Sequence, residues 1–183
     1  MFLDSDDSLE KGAIEALMTK AEQSGADMVE GGFRQFDDAG NTIYTQIYEP
    51  REHLPSLNGF PWGKVIRSEM FKNLQFPENY WYETLFFLLM FDMAKNIARI
   101  DNSIYHYRFK LRRNHQSSRL GKVKSLDSFY ITRRLMRDRK EMQLPITPFC
   151  YEKFLRQLNV NFVRTLRLRP IRKLSLCLVC DYL

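Results

Sequence analysis

The sequence lacks any apolar run that is long enough to cross a membrane. Its longest apolar runs, Leu85 to Phe91 and Leu174 to Cys180, are far shorter than the roughly 20 residues that a membrane-spanning helix needs. A signal peptide is not visible either, because Met1-Phe2-Leu3 leads directly into acidic residues instead of a basic segment. We therefore expect a cytoplasmic chain that is soluble or peripheral at the inner face of the membrane.

Cysteine is also scarce, with three residues at positions 150, 177 and 180. So few thiols suit a reducing compartment rather than a disulfide-rich secreted fold. Cys177 and Cys180 have the spacing of half a zinc site, but no second pair or neighbouring histidine completes four ligands. We therefore expect buried free thiols.

Positive charge is rare in the first part of the chain and abundant in the second. Residues 1–100 contain 9 Lys and Arg against 16 Asp and Glu, whereas residues 101–183 contain 19 against 6. This division suggests a metal-binding or catalytic portion followed by a portion that faces anions. A membrane surface, a nucleic acid or an acidic polymer fits that description, as does a solvated helical face without a partner. No recognised nucleic-acid module accompanies these residues, so we expect no nucleic-acid binding.

Hydrophobic residues make up 44% of the chain and aromatic residues 14%, which is enough for a substantial core. The first part predicts a helix from Ser8 to Ser24, with Asp7 as N-cap and Gly25 as its C-terminal glycine. A hairpin is predicted over residues 27–48, with its turn at 37–41.

The rest of the chain is predicted to become mainly helical. A core helix is predicted at residues 82–95, followed by a strand pair over 97–108 that turns at Asp101-Asn102. Amphipathic helices crowded with arginine are predicted at 123–142 and 149–169.

Three carboxylates stand directly behind two apolar residues in the segment Phe2-Leu3-Asp4-Ser5-Asp6-Asp7. Clustered acids repel one another unless a cation lies among them, and a divalent metal bound to a phosphate is the usual partner. Helix capping explains Asp6 or Asp7 at a helix start, but it does not explain Asp4 at the end of the preceding strand.

Several chemistries use this acidic pattern. A calcium loop of the EF-hand type is excluded, because the sixth position from Asp4 needs glycine and is Leu9. A haloacid-dehalogenase-type phosphatase would use Asp4 as nucleophile and Asp6 as acid and base, but residues 85–183 offer no convincing lysine and acid pair for it. The third interpretation is a sugar-nucleotide site, where the acids hold Mg²⁺ or Mn²⁺ against a diphosphate.

A second set of motifs occurs in a fixed order between residues 59 and 108. Its segments are Gly59-Phe60-Pro61-Trp62-Gly63-Lys64-Val65-Ile66-Arg67, Phe71-Lys72-Asn73-Leu74-Gln75-Phe76-Pro77-Glu78, Trp81-Tyr82-Glu83, Ala94-Lys95-Asn96-Ile97 and Ile104-Tyr105-His106-Tyr107-Arg108. Together with the acidic cluster, this order closely resembles the second half of family 2 glycosyltransferases of the GT-A fold, of the bacterial type that builds surface polysaccharides. The resemblance runs from Met1 to about Arg108.

The resemblance implies roles for five of these residues. Asp4 and Asp6 match the acids of the family's metal-binding Asp-x-Asp motif, with Asp7 beside them, and the implied cofactor is Mn²⁺ or Mg²⁺. Trp62 and Lys64 match a segment that lines the acceptor side. The implied reaction is the inverting transfer of a sugar from a nucleotide-sugar donor to a saccharide or lipid-linked acceptor.

Two departures from the family pattern bear on activity. Glu83 matches the first acid of a Glu-Asp pair whose Asp is usually the base that deprotonates the acceptor hydroxyl, but Thr84 stands where that Asp belongs. Either Glu83 serves as the base, or the base is missing. The family also places its nucleotide-binding strands before the acidic motif, and none precede Asp4, so we expect this chain to be inactive by itself.

For the fold we expect an α/β protein in three parts. Residues 1–108 are predicted to form a truncated, Rossmann-like GT-A half with a mixed sheet, residues 109–121 a basic linker, and residues 122–183 an α-helical appendage. The alternative function is a non-catalytic module whose basic helices dock on an anionic membrane or a partner.

Overall fold

A computed structural model of the chain describes residues 1–72, 74, 76, 82–109 and 127–166, without the side chains of 82, 83 and 164–166. The chain forms two compact units, one from Met1–Gln75 and Met93–Arg113 and one from Phe76–Asp92 and Asn114–Leu183. The first unit contains a mixed sheet and the second is helical among the described residues, which confirms the predicted α/β class with a helical part. Almost all of the predicted linker lies outside the described residues, and the predicted domain bounds stay a prediction.

Five strands build the sheet of the first unit. They are β1 (Ser8–Leu9), β2 (Met28–Phe36), β3 (Thr42–Gln46), β4 (Lys64–Ile66) and β5 (Ile97–Arg108). Their order is β1-β5-β2-β3, and β4 also pairs with β2. Strands β2 and β5 run parallel, whereas every other pair is antiparallel. This combination is the mixed sheet that the sequence predicted.

The predicted hairpin is confirmed by the pairing of β2 with β3. The turn chemistry explains it, because Asp37 Oδ1 accepts hydrogen bonds from the backbone N–H groups of Ala39 and Asn41 at 2.9 and 2.8 Å. Within β2, a Cβ atom at Gly32 would lie 2.2 Å from the carbonyl oxygen of Gln46. A side chain at this position would collide with the neighbouring backbone, so glycine is required here.

Helix α1 (Ala13–Ser24) ends where the sequence predicted, at Gly25 with a φ of 64°, but the predicted start at Ser8 is wrong. Ser8 and Leu9 instead form β1, which pairs with β5 about 100 residues later in the chain. Asp7 is therefore not the N-cap, and Gly12, with a φ of 79°, precedes the helix without a side-chain cap.

The predicted turn at Asp101-Asn102 is wrong as well, because residues 97–108 form the single strand β5. The register of β5 against β2 shifts on either side of Gly32. Asp101 and Asn102 therefore lie within a continuous strand, because a β-bulge accommodates extra residues without ending the pairing.

One face of the sheet is covered by α1, and this contact is the core of the first unit. Its fully or nearly fully buried members are Ala13, Leu17, Ala26, Val29, Trp62, Ala98, Ile100, Ile104 and Tyr105. Burying a large apolar side chain stabilises a fold by about 1.5–3 kcal/mol, so this layer fixes the position of the strand ends that carry the polar candidates.

The second unit contains three helices among the described residues. Helix α2 spans residues 82–93, with a π-helical segment Phe86–Met90 inside it, and is followed by α3 (Asp127–Glu141) and α4 (Pro148–Leu166). The predicted helices are thus present, within a few residues of their predicted ends where those ends are described. Cys150 is buried as a free thiol, as expected, whereas Cys177 and Cys180 lie outside the described residues. No helix in the described ranges has the length and apolarity of a membrane span.

Candidate functional site

The acidic segment forms a tight turn that is held by Tyr105. The N–H of Asp7 donates to the carbonyl of Asp4 at 3.1 Å. The hydroxyl of Tyr105 donates to Asp7 Oδ2 at 2.7 Å and accepts from the N–H of Asp4 at 3.2 Å. Asp7 Oδ1 also accepts from the N–H of Arg108 at 2.8 Å. One phenol therefore fixes both ends of the turn against the end of β5.

Pairing of β1 with β5 explains why the acidic segment reaches this place. The N–H of Glu10 donates to the carbonyl of Ile104 at 2.9 Å, which extends the pairing beyond Leu9. Burial raises the pKa of Tyr105, and the adjacent carboxylate of Asp7 raises it further. The phenol thus stays protonated and remains a donor to Asp7 at any ordinary pH.

Trp62 lies at the centre of an aromatic cluster on the other side of Tyr105. Only 4% of Trp62 is exposed, and its ring stacks on Tyr105 with the centroids 4.5 Å apart. Its ring also contacts those of Phe33, Phe60 and Tyr107. Trp62 also pairs with Phe2 in an isolated parallel bridge. The structure therefore brings Asp4, Asp7 and Trp62 together around Tyr105.

Lys64 is fully buried below the loop that carries Trp62. Its Nζ donates to Asn58 Oδ1 at 2.7 Å and to the carbonyl oxygens of Asn58 and Trp62 at 3.3 Å each, and it also donates to the carbonyl of Phe60. Burial lowers the pKa of Lys64 from 10.5 to about 8, although the carboxylate of Glu30 opposes the shift. Through these hydrogen bonds Lys64 holds the loop from Asn58 to Trp62 in place. The predicted role of Lys64 on the acceptor side stays a prediction.

Glu30 balances part of the buried charge and was missed by the sequence analysis. Its Oε1 accepts from the N–H of Asn58 at 2.9 Å and lies 3.5 Å from Lys64 Nζ. Its Oε2 accepts from Arg99 Nε at 2.8 Å, and the guanidinium of Arg99 lies 4.4 Å from the ring centroid of Tyr48. An acid inside the apolar start of β2 was the available signal, because a buried carboxylate needs a cationic or hydrogen-bonding partner.

The predicted base belongs to the other unit. Glu83 lies in the first turn of α2, and its side chain is outside the described residues. Thr84, the residue in place of the family's aspartate, is buried. The five remaining candidates lie in the first unit, so the role of Glu83 stays a prediction.

The acidic turn carries three carboxylates, the side chains that hard divalent cations prefer as ligands. Both oxygens of Asp7 accept hydrogen bonds from the protein, which makes Asp7 a support of the turn. In the part of the chain that the structure describes, no three His, Cys, Asp or Glu side chains are grouped to hold a metal. Asp4 is exposed and Asp6 half-buried, and a role for these two as metal ligands stays a prediction.

A cavity of about 390 Å³ lies between α1 and the β4 region. Its lining includes the Asp27–Arg67 ion pair, with Nε and Oδ1 2.7 Å apart. None of the six predicted site residues lines it, so it is separate from the acidic turn.

Comparisons with known proteins leave the family open. No protein-family model and no curated protein matches the chain. Among solved structures it is similar to residues 1–349 of S. aureus TarS, with a TM-score of 0.48 and 15% identity over 99% of this chain and 63% of that chain. It is also similar to the complexes of TarS with UDP and with UDP-GlcNAc, each with a TM-score of 0.46 and 14% identity. These matches cover 63% and 64% of those chains. The chain thus spans less than two thirds of these structures, and likenesses at this level carry no argument about function.

Proposed function

We propose that this chain contributes the metal motif and acceptor-side half of an inverting glycosyltransferase. The reaction is transfer of a sugar from a nucleotide-sugar donor to a saccharide or lipid-linked acceptor, in surface-polysaccharide synthesis at the inner face of the membrane. One observation carries the proposal: the acidic turn and the aromatic cluster of Trp62 meet at Tyr105, although these segments lie far apart in the sequence.

Asp4 and Asp6 are the proposed ligands of Mn²⁺ or Mg²⁺. When bound, the cation supplies neutralisation of the charge that develops on the departing nucleoside diphosphate. Asp7 and Tyr105 have a positioning role, since their hydrogen bonds hold the backbone of the turn. A site that is held before its ligand arrives loses less free energy to ordering when the ligand binds.

Glu83 is the proposed base. It accepts the proton of the acceptor hydroxyl while the oxygen bonds to the anomeric carbon and the bond from that carbon to the diphosphate breaks. Thr84 cannot take this role, because a threonine hydroxyl does not accept a proton near neutral pH. The side chain of Glu83 therefore carries the proton transfer in this proposal.

Calorimetric titration of the chain with inorganic pyrophosphate, with and without Mn²⁺, tests the proposal, because the acidic turn would hold the cation and the diphosphate and not the nucleoside. Binding should require Mn²⁺, and Asp4→Asn and Asp6→Asn should each weaken it at least about tenfold, since even partners of metal ligands contribute that much. Glu15→Gln, at an exposed position of α1, removes the same charge elsewhere and should bind like the natural chain. If no diphosphate binds, or if Mn²⁺ makes no difference, the proposal is wrong.

A further inference from the structure

The cavity between α1 and the β4 region has no part in the proposed transfer reaction. Its volume of about 390 Å³ lies at the lower end of the roughly 300–1,000 Å³ that small-molecule sites enclose. We propose that this cavity binds a small organic cation, namely a protonated amine on a short apolar body. This binding is independent of the transfer reaction.

Apolar side chains line the cavity from its interior to its mouth. They are Met18, Ala21, Ala26, Val65 and Ile66. Ala26 is 4% exposed, whereas Met18 is 44% exposed, so the apolar lining reaches from the core of the first unit to its surface. Methionine is flexible and polarizable, and it adapts to apolar groups of different shape. The lining therefore suits the apolar body of a ligand.

Hydrogen bonds hold both sides of the cavity in place. The N–H of Arg67 donates to the carbonyl of Asp27 at 2.8 Å, and Arg67 Nε donates to Asp27 Oδ1 at 2.7 Å. On the helix side, the N–H of Ala26 donates to the carbonyl of Ala21 at 3.2 Å. A cavity that is formed before its ligand arrives loses less free energy to ordering when the ligand binds.

The Asp27–Arg67 pair contributes little net charge to the cavity. One carboxylate oxygen of Asp27 accepts from Arg67 Nε, and the other accepts from the N–H of Lys95 at 2.7 Å. Both oxygens of Asp27 are therefore engaged, and the charge of Arg67 is balanced at close range.

Glu22 is the carboxylate that gives the cavity its negative charge. It lines the cavity from α1 and is exposed, and it has no ion pair or hydrogen bond with a described residue. Glu69 also lines the cavity, where its Oε2 accepts from the hydroxyl of Ser68 at 3.4 Å. Lys72, three residues later, attracts Glu69. Even with Lys72 counted against Glu69, Glu22 leaves the lining negative, and a negative lining favours a cation.

The combination of a carboxylate with apolar walls favours an organic cation over a metal ion or an anion. A hard divalent cation needs about six oxygen ligands, and an anion would be repelled by Glu22. A protonated amine donates hydrogen bonds to a carboxylate, while its carbon chain covers apolar side chains such as Val65 and removes them from water.

Nuclear magnetic resonance titration of the isotope-labelled full chain with hexylammonium chloride tests the proposal. The amide signals of residues 18–27 and 65–69 should shift, since these segments contain the lining. Hexanol and hexanoate have a similar apolar body, without charge and with a negative charge. Hexylammonium should bind at least about tenfold more tightly than hexanol, because a hydrogen bond to a charged group contributes that much. Hexanoate should not shift these signals.

Matched variants separate the charge of Glu22 from the apolar walls. Glu22→Gln should weaken hexylammonium binding about tenfold and leave hexanol binding unchanged. Glu15→Gln, on the same helix and outside the lining, removes the same charge and should bind both ligands like the natural chain. Ala21→Leu fills part of the cavity and should weaken the binding of both ligands. Urea unfolding of each variant checks that the fold is retained.

Three results would overturn the proposal. The first is a titration in which hexylammonium leaves the signals of residues 18–27 and 65–69 unshifted. The second is equal affinity for hexylammonium and hexanol, which would make the cavity a purely apolar site. The third is an equal loss of hexylammonium binding in Glu22→Gln and Glu15→Gln, which would make the attraction a property of net charge.

Discussion

The two units of this chain differ in which charged side chains they bury and in what those side chains contact. In the first unit, Glu30 and Lys64 are fully buried and belong to a network that holds the loop below Trp62. In the second unit, Arg139 is buried with Asp92, and the other described arginines of α3 are exposed. The first unit encloses a lysine ammonium, whereas the helical unit encloses a guanidinium. Buried charge therefore supports a loop in the first unit, whereas in α3 the described arginines other than Arg139 lie at the surface.

The largest expected effect is from Lys64→Met. The variant leaves Glu30 with Arg99 as its remaining ion-pair partner and removes the donor from three loop carbonyls. Breaking a buried pair costs about 3–5 kcal/mol, and urea unfolding should show a loss in this range. Lys72→Met, at an exposed position, is the control and should change the free energy of unfolding by less than about 0.5 kcal/mol. A loss below about 1 kcal/mol for Lys64→Met would contradict a structural role for the network.

The second expected effect is from Arg139→Met in the helical unit. Asp92 loses its cation, and the carbonyls of Leu88 and Pro145 lose a donor. We expect the free energy of unfolding to fall by about 2–4 kcal/mol. This loss is smaller than that for Lys64→Met, because the side chain of Asp92 is partly exposed. Arg137→Met in the same helix should be nearly neutral in the same urea titration, since the side chain of Arg137 is exposed. If both variants lowered the free energy of unfolding equally, the distinction between buried and exposed arginines in α3 would be wrong.

Tyr105→Phe should have a smaller effect on stability and a specific effect on the acidic turn. The change removes the hydroxyl between Asp4 and Asp7 but keeps the ring that stacks on Trp62. A hydrogen bond to a charged group contributes about 1.5–3 kcal/mol, which urea unfolding should detect. Diphosphate binding with Mn²⁺ should weaken as well.

Tyr44→Phe is the matched control, because Tyr44 is 47% exposed and its hydroxyl donates to Gln46 on the same strand. Unchanged diphosphate binding by Tyr105→Phe, together with the expected loss of stability, would show that the turn does not depend on the phenol.

The smallest expected effect is a pH dependence that belongs to the first unit. The pKa of Lys64 falls from 10.5 to about 8 on folding, mainly through burial. Between these values the unfolded chain holds more protons than the folded chain, so this group makes the free energy of unfolding rise with pH, by on the order of 1 kcal/mol per pH unit. The cost of burying the charged ammonium is fully present below pH 8 and is relieved as the pH approaches 10.5.

Urea unfolding between pH 8 and 10 measures this slope as the difference between the natural chain and Lys64→Met. Arg139→Met should show the same slope as the natural chain, because it leaves Lys64 and its partners in the first unit unchanged. An identical pH profile for the natural chain and Lys64→Met would mean that folding does not lower the pKa of Lys64.

Local sequence chemistry predicted the elements whose causes lie within a few residues. The Asp37 turn and the glycine at position 25 fixed the hairpin and the end of α1, because an Asx-type turn and a left-handed glycine act through their immediate neighbours. The start of α1 was mispredicted for the opposite reason. Ser8 and Leu9 satisfy a helical pattern, but pairing with β5 offers their backbone a different set of hydrogen bonds.

The candidate site shows the same division. The sequence alone determined which residues are suited to a cation, namely Asp4, Asp6 and Asp7, since their chemistry does not depend on the fold. The fold, by contrast, made Asp7 a support of the turn and placed Tyr105 between this turn and Trp62. It likewise decided that Lys64 and Glu30 share a buried network. These relations connect residues that are 34 to about 100 positions apart, and burial and contact at such separations are set by the packing of strands rather than by local pattern.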